Sequence, residues 1–249
     1  MDRILQNKKI LISGMGKGLG LDMFYKSIDS GAYVYGFTRS RKDLKKIKKK
    51  YILKSKIFVG DATNDKFLKK LFLYFKKNKI QLNGLINNVG QRQRKSFIEF
   101  TKKDIIKIMT VNFVSTFLIS QYFVKNTDNK QSSSIINIGS IVGEKPFEDL
   151  IGYASSKSAI SGFTKSLALE LAQKNFNIRV NCINPGFTKT SYFNKFKKNK
   201  KLYSWTLSKI SSGRWAQSSE ISKLAIFLLS NKASYINGQT INIDGGWKF

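Results

Sequence analysis

The chain has 249 residues, a formal net charge of +30 at pH 7, one cysteine and no histidine. Without histidine it cannot build Ser-His-Asp or Cys-His nucleophilic sites or the usual zinc sites. We therefore expect no metal, and a chemistry that relies on Tyr, Lys, Ser, Asn, carboxylates or a cofactor. Cys182 has no intramolecular partner, the N-terminus lacks a signal-peptide core, and no apolar run approaches the roughly 20 residues that span a bilayer. These features predict a cytoplasmic protein without a transmembrane segment.

The positive charge is nearly all lysine. It suits nucleic acid, an anionic membrane surface or an acidic protein partner. The lysines accompany abundant Asn, Ile, Phe and Tyr and only two prolines, which suggests compositional drift of a whole proteome at least as readily as a binding function. We interpret most of them as solvated faces.

Strand and helix patterns alternate along the chain. Strands are predicted at 8–13, 32–37, 56–59, 82–87, 134–138, 178–183 and 240–243. Helices are predicted from the first glycine loop to about 30, from about 42, at 65–77, at about 102–125, from Tyr153 to about 174 and at 219–229, with a lysine-rich loop region before the last. This alternation predicts an α/β fold with a parallel sheet covered on both faces, in one domain over residues 1–249.

A glycine-rich turn follows the first strand. Gly14, Gly18 and Gly20 allow a tight turn, close approach of the backbone to a phosphate, and close packing of helix on strand. The start of the next helix offers amide donors and a positive dipole end to a pyrophosphate. The spacing is Gly-x-x-x-Gly-x-Gly, which differs from the Gly-x-Gly-x-x-Gly dinucleotide fingerprint.

The ends of the second and third strands bear on cofactor choice. The stretch 37–41 has no carboxylate, while Arg39 and Lys17 could flank a phosphate monoester, so we expect NADP(H) rather than NAD(H). Asp61 ends the third strand. Its carboxylate could accept from an adenine amino group or cap the helix that follows.

Tyr153 and Lys157 are four residues apart at the start of a helical pattern, so they share one helix face. A phenol titrates near pH 10, and a neighbouring cation can stabilise its phenolate. For an isolated Tyr-x-x-x-Lys pair, packing of the tyrosine and solvation of the lysine is the alternative.

The chain contains six motifs in register: Ser13-Gly14-x-x-x-Gly18-x-Gly20, Asn87-Asn88-Val89-Gly90, Asn112, Ser140, Tyr153-x-x-x-Lys157 and Asn184-Pro185-Gly186. In this order and at these separations they resemble the short-chain dehydrogenase/reductase family, from about residue 8 to 246. The resemblance implies a seven-stranded, doubly wound Rossmann sheet and a carbonyl–alcohol oxidoreductase. It also implies association into homodimers or homotetramers.

The resemblance further implies a catalytic set of four residues. Tyr153 would exchange a proton with the substrate oxygen, and Lys157 would lower the pKa of Tyr153 and bind the nicotinamide ribose. Ser140 would orient the substrate oxygen. Asn112 would keep its helix irregular and hold a water that links Lys157 to solvent. The implied cofactor-binding residues are Ser13, Gly14, Gly16, Lys17, Gly18, Leu19, Gly20, Arg39, Asp61, Ala62, Asn88, Gly90, Tyr153, Lys157, Pro185, Gly186, Thr188 and Thr190.

Substrate choice is expected in three segments: the loop after Gly90, the loop 141–151, and a lid at about 191–207. Arg92 and Arg94 suit a carboxylate or phosphate, or belong to a solvated basic loop. The first loop resembles gluconate 5-dehydrogenases. The stretches 162–168 and 185–188 resemble 3-oxoacyl-acyl-carrier-protein reductases, which we favour narrowly because an acidic carrier also suits a basic surface.

A different class of function stays open. The basic run 39–56 and the segment 193–201, in which aromatic residues alternate with lysines, fit a nucleic-acid- or membrane-surface-binding protein on the same fold. A binding protein has no need for a complete proton-transfer set, so we favour the enzyme.

Overall fold

The computed structural model describes residues 3–190 and 193–248. Its strands are β1 Lys9–Ser13, β2 Tyr33–Thr38, β3 Ser55–Val59, β4 Gly84–Asn87, β5 Ser133–Ile138, β6 Ile178–Pro185, β7 Thr188–Lys189, β8 Ala216–Gln217 and β9 Thr240–Ile243. Within the described part of the chain, seven of them form a parallel sheet in the order β3-β2-β1-β4-β5-β6-β9, and β7 pairs with β8 separately. The predicted seven-stranded, doubly wound sheet is confirmed.

Alternate side chains of each inner strand enter different cores, which explains why these strands read as continuous apolar runs. On β1, Ile10 and Ile12 pack on one face of the sheet while Leu11 packs on the other. The strand order reverses between β1 and β4. In a sheet of this kind a ligand crevice opens beyond the carboxyl ends of these two strands.

Helices cover both faces. They are α1 Gly18–Asp29, α2 Arg41–Leu44, α3 Asp65–Lys77, α4 Lys102–Met109, α5 Ser115–Lys125, α6 Ile151–Gln173, α7 Phe193–Lys197, α8 Lys200–Lys209 and α9 Ser218–Leu229. The apolar faces of α1 and α9 pack on one side of the sheet, and those of α3, α5 and α6 pack on the other.

Three predicted elements differ from the structure. The helix expected from about 42 is the short α2, capped by Ser40, and a 3-10 turn at Lys49–Lys54 follows it. The helix expected at 102–125 contains a π-turn at Thr110–Val114, so the irregularity implied at Asn112 is present. The predicted lysine-rich loop region was wrong, because α7 and α8 form there around buried Phe196 and Thr206. Residues 191–192 of the predicted lid lie outside the described residues.

Among the described residues, one stretch, Lys102–Lys125, is long and apolar enough to cross a membrane by length and composition alone. This corrects the expectation that no stretch approaches that length. In the fold it is a layer against the sheet and α6, and its central Asn112 is fully buried and hydrogen-bonded to Gln91 and Ser156. A helix in the core of a domain passes the same test, so the stretch is weak evidence for a membrane span.

Candidate functional site

A groove runs across the carboxyl ends of the strands and consists of two adjoining cavities. The glycine-loop cavity, of about 570 Å³, lies over the turn after β1 and the ends of β2 and β3. The tyrosine cavity, of about 680 Å³, lies over the ends of β5 and β6 and contains Tyr153. Lys17, Asn88 and Gly90 are among the residues that line both, which makes the groove continuous.

The structure brings most predicted site residues to this groove. Those on the glycine-loop cavity are Gly14, Gly16, Lys17, Gly18, Leu19, Arg39, Asp61, Ala62, Asn88, Gly90 and Thr190. Those on the tyrosine cavity are Lys17, Leu19, Asn88, Gly90, Arg92, Arg94, Ser140, Tyr153, Lys157, Pro185, Gly186, Thr188 and Thr190. Ser13, Gly20 and Asn112 lie behind this surface and hold the loops that form it. The roles predicted for these residues stay predictions.

The glycine turn is held against the end of β4. The Asn88 side-chain amide donates to the Gly14 carbonyl at 3.0 Å, and the Asn88 main-chain N–H donates to the Ser13 hydroxyl at 3.0 Å. Gly20 leaves the helix no room for a side chain, because a Cβ would lie 2.3 Å from the Gly14 oxygen. The first amides of α1 have no side-chain cap and no acidic residue in the first turn. They are therefore available to an anion in the groove.

Cations surround the outer part of the glycine-loop cavity. Lys17, Arg39, Lys42 and Lys46 all line it. The Arg39 side chain is 74 % exposed, and its guanidinium lies 3.9 Å from the Asp61 carboxylate. These charges make this end of the groove suited to a phosphate.

Asp61 does not cap the helix that follows, so that alternative was wrong. Its carboxylate accepts from the main-chain N–H and the hydroxyl of Thr63, both at 2.8 Å. Asn64 is the residue that caps α3, accepting from the Phe67 N–H at 3.1 Å. Asp61 thus stays at the rim of the cavity, held in an Asx turn.

Asp43 is a further carboxylate at this end that was not predicted from the sequence. Asp43 projects from α2 against Gly16, where a Cβ would lie 2.3 Å from its oxygen. It accepts from the Thr38 hydroxyl at 2.8 Å and pairs with Lys46 at 3.0 Å. Burial raises the pKa of Asp43, but the hydrogen bonds from Thr38 and Lys46 outweigh burial and leave the pKa below its ordinary value. The carboxylate is therefore ionised and already engaged.

Tyr153 and Ser140 meet in the tyrosine cavity. Tyr153 is in the first turn of α6, and Ser140 follows the end of β5, where its hydroxyl accepts from the Val142 N–H at 3.2 Å. Burial raises the pKa of the Tyr153 phenol above its ordinary value of 10.0. The hydrogen bond with the Ser140 hydroxyl and the charge of Arg92 act in the opposite direction without reversing the shift. The phenol is thus protonated at neutral pH.

Lys157 is 4 % exposed, and its ammonium donates to the Ile138 carbonyl at 2.7 Å. Burial lowers the pKa of Lys157 from 10.5 to about 8, although Cys182 opposes the shift. The predicted effect of Lys157 on the pKa of Tyr153 stays a prediction. Lys157 points to the Ile138 carbonyl and lies 5.9 Å from the centre of the Tyr153 ring, while burial dominates the phenol.

Asn112 acts on the loop that carries Gly90. Its side-chain oxygen accepts from the Gln91 N–H at 2.7 Å, and its amide donates to the Gln91 carbonyl and to the Ser156 hydroxyl, both at 2.9 Å. A Cβ on Gly90 would lie 3.5 Å from the Lys157 ammonium, so this loop, Asn112 and Lys157 are immediate neighbours. The predicted water relay through Asn112 stays a prediction.

Part of the tyrosine cavity is lined by an apolar, largely aromatic wall that was not predicted from the sequence. Its apolar residues are Ile141, Val142, Phe147, Leu150, Phe187, Phe196, Leu202, Trp205 and Trp215. Trp215 is the centre of this wall, with its ring 4.9 Å from Phe187 and 4.8 Å from Phe196, and its indole N–H donates to the Thr206 hydroxyl at 2.8 Å. The concentration of Phe, Tyr and Trp between 187 and 215 was the signal that could have revealed the wall.

Arg92 and Arg94 line the same cavity on the side of the β4 loop. Arg94 lies 3.9 Å from Asp149, and both side chains are partly exposed. Among the residues that the structure describes, no carboxylate lines the tyrosine cavity. The cavity therefore combines an apolar wall with a positive side and suits an anion that has an apolar part.

Comparison with known proteins agrees with this geometry. Residues 14–248 match the sequence model of a family described as enoyl-(acyl carrier protein) reductase. The chain is 35 % identical to the 3-oxoacyl-[acyl-carrier-protein] reductase FabG of Buchnera aphidicola subsp. Schizaphis graminum, covering 97 % of this chain and 98 % of the relative. It is 29 % identical to the 2-dehydro-3-deoxy-D-gluconate 5-dehydrogenase of Bacillus subtilis, covering 98 % of this chain and 95 % of the relative.

A solved structure also matches over nearly the whole fold. It is a gluconate 5-dehydrogenase from Burkholderia cenocepacia J2315 in complex with NADP and tartrate, with a TM-score of 0.91 and 26 % identity, covering 98 % of this chain and 97 % of that one. The chain belongs to the short-chain dehydrogenase/reductase family of oxidoreductases.

Proposed function

We propose that the protein is an NADP(H)-dependent reductase that converts a ketone into a secondary alcohol, with a 3-oxoacyl thioester as its substrate. The observation that carries this proposal is the tyrosine cavity, which is lined both by a protonated Tyr153, Ser140 and Lys157 and by an aromatic wall. The proton donor and the apolar binding surface thus share one cavity that is continuous with an anion-binding groove.

The residues of the glycine-loop cavity fit NADP(H). Gly18 has a φ of +55° and faces Thr190 across the groove, so a Cβ would occupy the space that a pyrophosphate needs beside the uncapped amides of α1. Lys17 and Arg39 would hold a 2′-phosphate. The Asp43 carboxylate also lines this cavity but is already engaged by the Thr38 hydroxyl and the Lys46 ammonium. When bound, this cofactor supplies the hydride for the carbonyl carbon.

The protein itself supplies the proton and the polarising contacts. Tyr153 gives its phenolic proton to the substrate oxygen as negative charge develops there. Ser140 donates a hydrogen bond to the same oxygen and stabilises that charge. Lys157, charged below its pKa of about 8, stabilises the phenolate that forms and would contact the nicotinamide ribose.

Three observations support an acyl substrate. The apolar wall from Ile141 to Trp215 offers contact area to an acyl chain and few hydrogen-bond partners to sugar hydroxyls. The relative of highest identity given above reduces, by its name, a 3-oxoacyl group on acyl carrier protein. The charge of +30 also suits an acidic carrier.

A keto sugar acid is the second candidate substrate. Arg92 and Arg94 on the cavity favour it, since both could pair with a carboxylate. The named activity of the Bacillus subtilis relative and the tartrate in the Burkholderia cenocepacia structure point the same way.

The test is turnover by the purified protein. With 3-oxoacyl thioesters as substrate, we expect turnover with NADPH to be at least ten times faster than turnover with NADH. With NADPH as cofactor, we expect 3-oxoacyl thioesters to be reduced faster than keto sugar acids at equal concentration. Tyr153→Phe is the matched control for contaminating reductases. Absence of NADPH oxidation above that control on every substrate would contradict the proposal, and preferential turnover of keto sugar acids would select the second candidate.

We also propose a cytoplasmic homo-oligomer. Nucleic-acid or membrane-surface binding stays an untested prediction, but one of its supports is weaker than the sequence suggested. Phe193 and Phe196 pack on Trp215 with ring centres 5.1 and 4.8 Å away, so neither ring is presented to stack on a base. Size-exclusion chromatography with light scattering tests the oligomeric state, and binding of single-stranded DNA at about 200 mM salt tests the alternative.

A further inference from the structure

Behind Ser140 lies a buried amide that the catalytic set does not include. Asn184 is fully buried near the end of β6, and its side-chain oxygen accepts from the Ser140 main-chain N–H at 3.0 Å. The Cys182 thiol donates to the same oxygen at 3.4 Å. This oxygen therefore contacts the main chain of the residue whose hydroxyl faces Tyr153.

The orientation of the Asn184 amide follows from its other partner. Its nitrogen donates to the Glu144 carboxylate at 3.1 Å, and Asn242 donates to the second oxygen of the same carboxylate at 2.9 Å. The main-chain N–H of Ser140 can only donate, so the amide oxygen must face Ser140 and the nitrogen must face Glu144. Glu144 thus prevents the amide from turning over.

Gly139 leaves the space that this amide occupies. A Cβ at position 139 would lie 2.0 Å from the Asn184 side-chain oxygen and 2.8 Å from the Cys182 sulfur. Gly139 has no positive φ, so the requirement for glycine here comes from the neighbouring amide and thiol and not from its backbone conformation. Any side chain at 139 must therefore push the Asn184 oxygen away from Ser140.

We propose that Asn184 is a positioning residue for the reaction: its amide oxygen fixes the main chain of Ser140, Glu144 fixes the amide, and Gly139 makes room for it. The hydroxyl of Ser140 then stays directed at Tyr153 while substrate binds. This inference rests on the proposed reductase function. It names a residue outside the four of the catalytic set.

Two variants break the same contact by different routes. Asn184→Ala removes the acceptor, and Gly139→Ala displaces it. We expect each to lower kcat about tenfold while the NADPH Kd stays within twofold, since the glycine-loop cavity is untouched. Adding Gly139→Ala to Asn184→Ala should lower kcat by less than a further twofold, because the acceptor is already gone.

Asn242→Ala is the matched control. It also removes one donor from Glu144 but leaves the Ser140 contact intact, so kcat should stay near the wild-type value. Unchanged kcat in Asn184→Ala, or an equal loss in Asn242→Ala, would overturn the proposal. A loss of kcat that is matched by weaker NADPH binding would also overturn it, since a general distortion of the groove would then explain both.

A titration separates this inference from the proposed function. The Tyr153 phenol can be followed by NMR of ¹³Cζ-labelled tyrosine, assigned with Tyr153→Phe. Its charged neighbours, Lys157 on α6 and Arg92 on the β4 loop, are unchanged in the variants. Displacement of Ser140 should raise the phenol pKa in Asn184→Ala and not in Asn242→Ala. This readout decides the positioning role even if no tested substrate is turned over, and an unchanged phenol titration would refute it.

Discussion

Buried or half-buried cations donate to backbone carbonyls at both ends of the sheet, with different consequences for stability and for the site. At the amino end, the half-buried Arg179 donates to the carbonyls of Leu228, Ser230 and Ile236 at 2.8, 3.1 and 3.2 Å. Lys8 donates to the Leu229 carbonyl at 3.1 Å. The two cations satisfy the last carbonyls of α9 and complement its dipole.

At the carboxyl end, Lys157 makes a similar bond to the Ile138 carbonyl but also faces a cavity that contains Tyr153 and Ser140. Burial lowers the pKa of Lys8, Arg179 and Lys157 alike. Burial and a lowered pKa therefore do not identify a catalytic cation in this basic chain. Lys157 differs from Lys8 and Arg179 because its ammonium also faces the cavity that contains Tyr153 and Ser140.

Loss of the proton donor should have the largest effect. We expect Tyr153→Phe to lower kcat about 10³-fold, because the phenyl ring keeps the packing and loses the transferable proton. Cofactor affinity, measured by fluorescence or calorimetry, should stay within about threefold. A kcat within tenfold of wild type would show that another group supplies the proton. Proximity to Tyr153 would then no longer distinguish Lys157 from Arg179 and Lys8.

Lys157→Met should lower kcat about 10²-fold, since it removes the charge that stabilises the developing phenolate. Lys165→Met, an exposed position on the same helix, is the matched control and should leave kcat unchanged. Thermal unfolding measured beside kinetics separates the roles. If Lys157→Met lowered Tm strongly and kcat only slightly, Lys157 would belong with Arg179 as a structural cation.

The pH profile sharpens the same contrast. Because the pKa of Lys157 is about 8, kcat/KM for reduction should be constant below pH 8 and fall about 10²-fold by pH 10 as the ammonium loses its proton. Tyr153 and Cys182 stay protonated through most of this range, since burial raises the pKa of both. Between pH 8 and 10.5 the Lys157 amine is mostly deprotonated in the folded chain and still protonated in the unfolded chain. The free energy of unfolding should therefore rise with pH over this range as far as Lys157 contributes to it. A profile that is flat to pH 10 would contradict this account.

Much of the groove was predictable because strand ends are readable. The glycine turn, Asn88, Ser140 and Pro185 each follow an apolar run at the carboxyl end of a strand, and a parallel sheet must bring such residues to one edge. Their chemical roles came from the family pattern and not from these positions.

The rest could not be read because it depends on contacts between distant segments. Asp43 reaches Gly16 only because a single turn of helix follows β2. The helices α7 and α8 were not predicted because their many lysines suggested a loop. The aromatic residues Trp215 and Phe196 supply the core on which these helices pack. The pKa of the Tyr153 phenol is raised by its burial, which the spacing between Tyr153 and Lys157 in the sequence does not determine.

At the amino end, Arg179→Met should cost about 2 kcal/mol of unfolding free energy, because the carbonyls of Leu228, Ser230 and Ile236 lose a charged donor while the apolar stem is kept. For a chain of this size the loss corresponds to a Tm about 4–8 °C lower. Lys76→Met at an exposed site is the control. kcat and NADPH Kd should not change. If Arg179→Met lowered kcat without lowering Tm, Arg179 could not be called a structural cation in contrast to Lys157.

The smallest effect is expected for an exposed cation at the carboxyl end. Arg39→Ser removes a guanidinium that is 74 % exposed and lies at the rim of the glycine-loop cavity. The NADPH Kd should rise about tenfold, because one charge-assisted contact to the 2′-phosphate is lost, while the NADH Kd and Tm should hardly change. Lys42→Ser, on the same cavity, shows how much of any loss comes from general electrostatics. If Arg39→Ser raised the Kd values of NADPH and NADH by the same factor, Arg39 would contribute only to the overall positive potential of the cavity. The 2′-phosphate would then have to be bound by Lys17 or Lys46. If Arg39→Ser lost the preference for NADPH over NADH and Lys42→Ser kept it, Arg39 would act on the ligand and not on the stability of the fold. An exposed cation at the carboxyl end would then differ from the half-buried Arg179 at the amino end in the same way as Lys157 does.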